Sequence, residues 1–185
     1  MNGRWLPNAI SIARIALVIP VAWSIIHGEN KTALTLIIIA GISDALDGLL
    51  AKRFGWTTDL GTILDPLADK LFMAGSFIAA VWVGLIPLWI TVIVIARDAI
   101  IVGGASVYRW HVGDFKPQPS VLSKVNTFLQ ILLVFSVVAK HYIFLPKGTV
   151  LTLVVAVAIT TVTSGTDYLI RWGRRLAHAP RRRTA

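Results

Sequence analysis

The chain has 185 residues, of which 56% are hydrophobic and 15% charged, with a net charge of +9 and no cysteine. That balance excludes a water-soluble globular domain, because a chain this short has too little interior to absorb so much apolar surface. The missing cysteine excludes disulfides, thiolate metal sites and a cysteine nucleophile.

Residues 1–7 contain Arg4, Trp5 and Leu6 and read as an interfacial lead-in to the membrane. Six apolar stretches follow, near 8–26, 33–50, 63–83, 86–108, 121–139 and 148–170. Each approaches the roughly 20 residues a helix needs to cross a bilayer, and a helix pairs its backbone groups internally there. The first holds Arg14 and offers no small-residue cleavage site, so it reads as a retained span, not a signal peptide. The expected fold is therefore all-α and integral to the membrane, with six transmembrane helices. A basic tail covers 171–185, and the six-helix domain covers 8–170.

With six spans, both termini and the 51–62 and 109–120 connections share one side. That side holds fifteen of the eighteen Lys and Arg residues; Lys31, Lys140 and Lys147 fall on the other. The positive-inside rule makes the basic side cytoplasmic. The positive charge thus sits in loops and tail that suit anionic headgroups, and nucleic acid is not an expected partner.

Four of the nine acidic residues stand at the ends of apolar stretches: Asp44 and Asp47, three apart, and Asp65 and Asp69, four apart. Residues at those spacings share a helix face. Carboxylates near a bilayer are costly and mark a functional site by default. The stretch 44–69 reads as a helix end, a connection with Gly55 and Gly61, and a helix start whose first turn tolerates Pro66. Four carboxylates balance two divalent ions, and an oxygen-only donor set favours magnesium or manganese. Such a pair of ions suits phosphoryl displacement. A cation or proton pathway is the rival reading. Against it, the acidic pairs lie near one side only, and no comparable carboxylate occurs in the outer half of any span. Asp59 reads as an ordinary solvated loop residue.

The string Asp44-x2-Asp47-Gly48-x2-Ala51-Lys52-x8-Gly61-x3-Asp65-x3-Asp69 resembles the signature of the CDP-alcohol phosphotransferases. One position departs, since the family usually has arginine where Lys52 stands; lysine keeps the charge and loses the bidentate fork. The resemblance implies a six-helix fold, a homodimer, and a polar cavity open to the cytoplasm. It implies that Asp44, Asp47, Asp65 and Asp69 bind two divalent metals, and that Asp69 is the catalytic base. Asp44, Gly48, Ala51, Lys52 and Gly61 would bind the CDP moiety of CDP-diacylglycerol. Such a protein would be a multi-pass enzyme of the bacterial cytoplasmic membrane, with its site and termini on the cytoplasmic side.

Lys70, Arg97 and Lys124, near cytoplasmic helix ends, are the candidate cations for an acceptor that carries phosphate. Asp98 would orient or neutralise Arg97. Asp65-Pro-x-Ala-Asp-Lys70 is similar to two groups of the family, CMP-forming cardiolipin synthases and phosphatidylglycerophosphate synthases. Leu85-Ile86-Pro87, Ala96-Arg97-Asp98, Lys116-Pro117 and the Ser120–Thr127 segment resemble the cardiolipin type more closely. The expected acceptor is therefore phosphatidylglycerol, with glycerol 3-phosphate as the alternative.

Other residues have plainer readings. Trp5, Trp110 and Trp172 suit membrane interfaces, and the four histidines do not cluster. Asp167 and Arg171 form an i,i+4 pair. The small residues 103–106 either permit close helix packing or shape a cavity. Ser11 and Thr127 either line a cavity or bond to the preceding turn.

Overall fold

A computed structural model describes residues 5–54, 61–112 and 120–178; within these, the side chains of 6–7, 47, 50–52, 54, 62–63, 105–112 and 172–178 lie outside the description. Six helices follow in order: α1 Leu6–Ile26, α2 Asn30–Phe54, α3 Gly61–Trp82, α4 Leu88–Val112, α5 Val121–Ala139 and α6 Thr149–His178. No strand occurs among the described residues. The all-helical expectation is met, with six helices among the described residues.

Among the described residues, three stretches are long and apolar enough to cross a membrane: Asn8–Ile26, Val121–Ala139 and Thr149–Arg171. Helices α2, α3 and α4 carry charge within their length: Asp44, Asp47, Lys52 and Arg53 on α2, Asp65, Asp69 and Lys70 on α3, Arg97 and Asp98 on α4. Large apolar side chains such as Ile12, Ile19 and Trp23 on α1, Trp82 and Trp89, Phe128, and Leu151 and Ile159 on α6 point outward. So many exposed apolar groups suit a lipid surface rather than water.

Three boundaries differ from the sequence reading, each for a local reason. The first acidic pair does not end its helix, because α2 runs on to Phe54. Ala45, Leu46, Leu49, Leu50, Ala51 and Lys52 are good helix formers, and one Gly48 among them does not stop propagation. Pro66 lies at the sixth position of α3, beyond the first turn, because that helix begins at Gly61. Its ring offers no N–H, so the Thr62 carbonyl lacks its usual helical donor. Further along, α6 continues through His178 and takes in Arg171, Arg174 and Arg175. Basic residues in a final turn favour the helix dipole.

The chain groups into two compact units, Met1–Pro87 with Val134–Lys147, and Leu88–Leu133 with Gly148–Ala185. In the first unit, α1 and α2 are joined by a tight turn at Gly28, whose φ of 73° is the left-handed conformation glycine adopts freely. The Glu29 N–H donates back to the Ser24 carbonyl at 2.8 Å and the Gly28 N–H to Ile25 at 3.2 Å, which closes α1 in a Schellman turn. Gly84, with φ 70°, closes α3 the same way, Leu85 donating to Ala80 at 2.8 Å. The short connection at Gly28 turns α2 back on α1. Val21 and Ile25 of α1, Ala33, Ile37 and Ala40 of α2, and Ala68, Phe72 and Phe77 of α3 form the buried core.

The second unit is more polar inside. On α5, Ser123, Asn126 and Gln130 are buried at helical spacing. Thr160 and Thr161 of α6 both donate to Asn126 Oδ1 at 2.8 Å. Hydrogen bonds of this kind join membrane helices where apolar surface gives little preference for one neighbour over another. Thr127 donates to the Ser123 carbonyl at 3.1 Å, so the preceding-turn reading holds for it. Asp167 accepts from Arg171 at 2.7 Å, as the spacing predicts. Gly103 faces open space among the described residues, where an added Cβ would meet nothing within 4 Å.

Close packing is real at Gly75, where an added Cβ would overlap Val18 Cγ1 across the α1–α3 contact. Gly75→Ala gains about 1 kcal/mol of helix propensity and incurs about 1–3 kcal/mol of overpacking. Unfolding in detergent should therefore show a net loss of stability. In a Val18→Ala background the same change should become stabilising. A Gly75→Ala protein more stable than wild type in the native background would refute this account.

Candidate functional site

The acidic pairs of α2 and α3 are held from α1. Arg14 is 97% buried by area, with only 3% of its side chain exposed, yet it carries a charge. Its Nη1 meets Asp44 Oδ1 of α2 at 2.6 Å and also donates to Asp69 Oδ1 of α3. Three residues earlier on the same face, the buried Ser11 Oγ donates to Asp65 Oδ1. Ser11 and Arg14 advance along α1 as Asp65 and Asp69 advance along α3, so the two helices run parallel. That direction is what an up-down-up trio with α2 between them requires.

Burying a guanidinium costs several kcal/mol unless it is paired and hydrogen-bonded. Asp44 and Asp69 supply that pairing while keeping about half their own surface, 50% and 46%, exposed. The charge is thus buried on the α1 side and the carboxylates open on the other. Gly48, one turn beyond Asp44, is exposed, and a Cβ there would meet nothing within 4 Å. Gly61 is buried at the start of α3, and Lys70 is half-buried next to Asp69.

The site residues expected from the sequence are thus distributed unevenly. Asp44 and Asp69 converge on one cationic nitrogen, and Asp65 adjoins them through α1. The side chains of Asp47, Ala51 and Lys52 lie outside the described residues, as does Asp59. Among the described residues, no three carboxylate or imidazole groups converge as metal ligands. Two carboxylates from separate helices do share a positive charge, however, and their oxygen-only chemistry fits a hard divalent cation.

Arg97 belongs to the second unit and is just as enclosed. Its Nη1 donates to Asp98 at 2.7 Å, and its Nη2 to Ser123 Oγ and Ser164 Oγ at 2.6 Å each. Gly165 leaves room for the arginine stem, since a Cβ there would lie 3.5 Å from Arg97 Cγ. The arginine therefore ties α4, α5 and α6 together, with Asp98 orienting it. Lys124, one residue past Ser123, is exposed on α5.

The family model for CDP-alcohol phosphatidyltransferase matches residues 4–163. The chain belongs to that family. A cardiolipin synthase (CMP-forming) from Streptomyces coelicolor is 36% identical over 129 residues, 66% of this chain and 60% of that protein. The human cardiolipin synthase (CMP-forming) is 31% identical over 149 residues, 72% of this chain and 50% of that protein. A CDP-diacylglycerol–glycerol-3-phosphate 3-phosphatidyltransferase from Bacillus subtilis is 31% identical over 180 residues, 88% of this chain and 92% of that protein. The chain thus spans only 60% and 50% of the two cardiolipin synthases it resembles, and nearly all of the Bacillus protein.

Reading the acidic signature alone missed the contribution of α1. In the sequence, Arg14 is a basic residue of the retained first span, Ser11 is a hydroxyl with two possible uses, and both lie in a Leu6–Arg14 segment that resembles the two family groups alike, with no partner assigned to either. A signal was available, because Ser11 and Arg14 are polar residues three apart inside an apolar span. Their shared face needed a polar partner.

Removing the Arg97 charge deprives the half-buried Asp98 of this partner and breaks three bonds. Arg97→Met should lower stability by about 3–5 kcal/mol, measured by unfolding in detergent. An Arg97→Met/Asp98→Asn protein should recover part of that loss. A single variant as stable as wild type would rule out the tie.

Proposed function

We propose that this protein transfers a phosphatidyl group from CDP-diacylglycerol to an acceptor hydroxyl and releases CMP. The observation that carries the reading is the convergence of Asp44 and Asp69 from two helices within the family signature. Asp44, Asp47, Asp65 and Asp69 would hold divalent cations, magnesium or manganese, whose positive charge stabilises the pyrophosphate and the leaving group. Gly48, Ala51, Lys52 and Gly61 are assigned to the CDP moiety, and the exposed, open backbone at Gly48 suits a close approach by a bulky ligand.

In the reaction, the Asp69 carboxylate takes the proton of the acceptor hydroxyl. The hydroxyl oxygen forms a bond to the β-phosphorus, which carries the diacylglycerol. The bond from that phosphorus to the bridging oxygen breaks, and the electron pair leaves with CMP. Arg14 keeps Asp69 oriented from its buried side, while the exposed half of the carboxylate meets the substrate.

For the acceptor, we favour phosphatidylglycerol, which makes the product cardiolipin. The Arg97-Asp98 pair and the Ser120–Thr127 segment support this choice, and relatives of both acceptor types match the chain. Glycerol 3-phosphate is the second reading, supported by the near full-length match to the Bacillus protein. Lys70 and Lys124 are assigned to the acceptor phosphate, together with Arg97, whose charge is fixed by Asp98 and two serines. We further assign six spans, a homodimer, and a cytoplasm-facing polar cavity in a bacterial inner membrane. The charge asymmetry supports the orientation, and the family resemblance supports the dimer.

Purified protein with magnesium or manganese should release CMP from CDP-diacylglycerol, and Asp69→Asn should cut the rate by about 100-fold or more. Offered phosphatidylglycerol and glycerol 3-phosphate in parallel, with products separated by chromatography, it should form cardiolipin from the first. Phosphatidylglycerophosphate from the second alone would reverse the choice of acceptor. No CMP with either acceptor and either metal would defeat the reading.

A further inference from the structure

We propose that Arg14 is a positioning residue that competes with divalent cations for Asp44 and Asp69, and so sets how tightly the acidic site binds them. This rests on the reading of those carboxylates as cation ligands. Arg14 stands thirty residues before the signature, on a different helix, and nothing in the signature requires it. Its burial shows that the charge is placed there by the fold, with α1 delivering it to two other helices at once.

Competition follows from which atoms are engaged. One guanidinium nitrogen meets Oδ1 of both Asp44 and Asp69. A hard cation seeks carboxylate oxygens of the same residues, at about 2.0–2.1 Å for magnesium. A guanidinium and a divalent ion on one carboxylate pair repel each other, and the partly enclosed setting screens that repulsion less than bulk water does. The charge count agrees. Asp44, Asp47, Asp65 and Asp69 carry four negative charges, and Arg14 neutralises one of them. The remaining three fall short of the charge on two divalent ions.

The same contact keeps the helices assembled when cations are scarce. Asp44 of α2 and Asp69 of α3 would otherwise repel each other, and Arg14 replaces that repulsion with attraction to α1. Ser11 on Asp65 fixes the neighbouring turn without adding charge. Arg14 therefore stabilises the protein most without divalent cations and weakens their binding when they arrive. A residue that served packing alone would do only the first.

The test uses the full chain in detergent, with manganese as the probe. Manganese affinity is read by electron paramagnetic resonance, and thermal unfolding is followed after chelation and again with manganese. Arg14→Met keeps the apolar stem and removes the charge. It should melt earlier than wild type after chelation, yet bind manganese about fivefold tighter or more, a modest coupling for a half-exposed pair. Manganese should accordingly raise its midpoint more than that of wild type. Arg14→Lys, which retains the charge, should bind manganese within about twofold of wild type. Where Arg14→Met yields no folded protein, Arg14→Gln carries the same expectation. Unchanged or weaker manganese binding in the neutral variants overturns the proposal, even if CMP release persists. No manganese binding by wild type or variants would instead overturn the reading of the acidic site itself.

Discussion

One positive charge, buried on α1 between two carboxylates of α2 and α3, is the interaction on which the first unit depends. Apolar surfaces in a bilayer have little to choose between one neighbour and another, because lipid is as apolar as a leucine side chain. A charge has no such freedom. Arg14 must meet Asp44 and Asp69 or be left unpaired, so the register of α1 against both helices is fixed by electrostatics rather than by packing. Gly75 then allows α1 and α3 to approach closely further along the same contact, where Val18 fills the space.

The second unit solves the same problem with different groups. Arg97 is buried and reaches Asp98, Ser123 and Ser164, while Asn126 accepts from two threonines of α6. Here the charge is neutralised by its sequence neighbour, and hydroxyls complete the shell. The difference matters chemically. The Arg14 network leaves its carboxylates half open and available to a ligand, whereas Arg97 is held in a fixed direction by Asp98 and by serines of α5 and α6.

Much of this could be read from residue order. Composition and apolar length gave a helical membrane protein, and the aspartate string with its glycines gave the family. The i,i+4 pair of Asp167 and Arg171 followed from spacing alone. What spacing could not set were the helix ends around the site. The Asp44–Asp47 pair lies inside α2 because good helix formers continue for a further turn and a half. Pro66 lies past the first turn because α3 begins at Gly61. Local breakers are weak evidence when their neighbours favour the helix.

The sequence by itself determined the class of protein, its family and the helical spacing of four candidate acidic donors, since each depends on residue type and on contacts within one helix. Only the tertiary structure decided what holds the donors in place. Arg14 and Asp69 are 55 residues apart, and Ser11 and Asp65 are 54 apart. No periodicity links residues so distant along the chain. Their pairing required α1 to lie parallel to α3 at the right register, and burial of a single charge then allowed that register and few others.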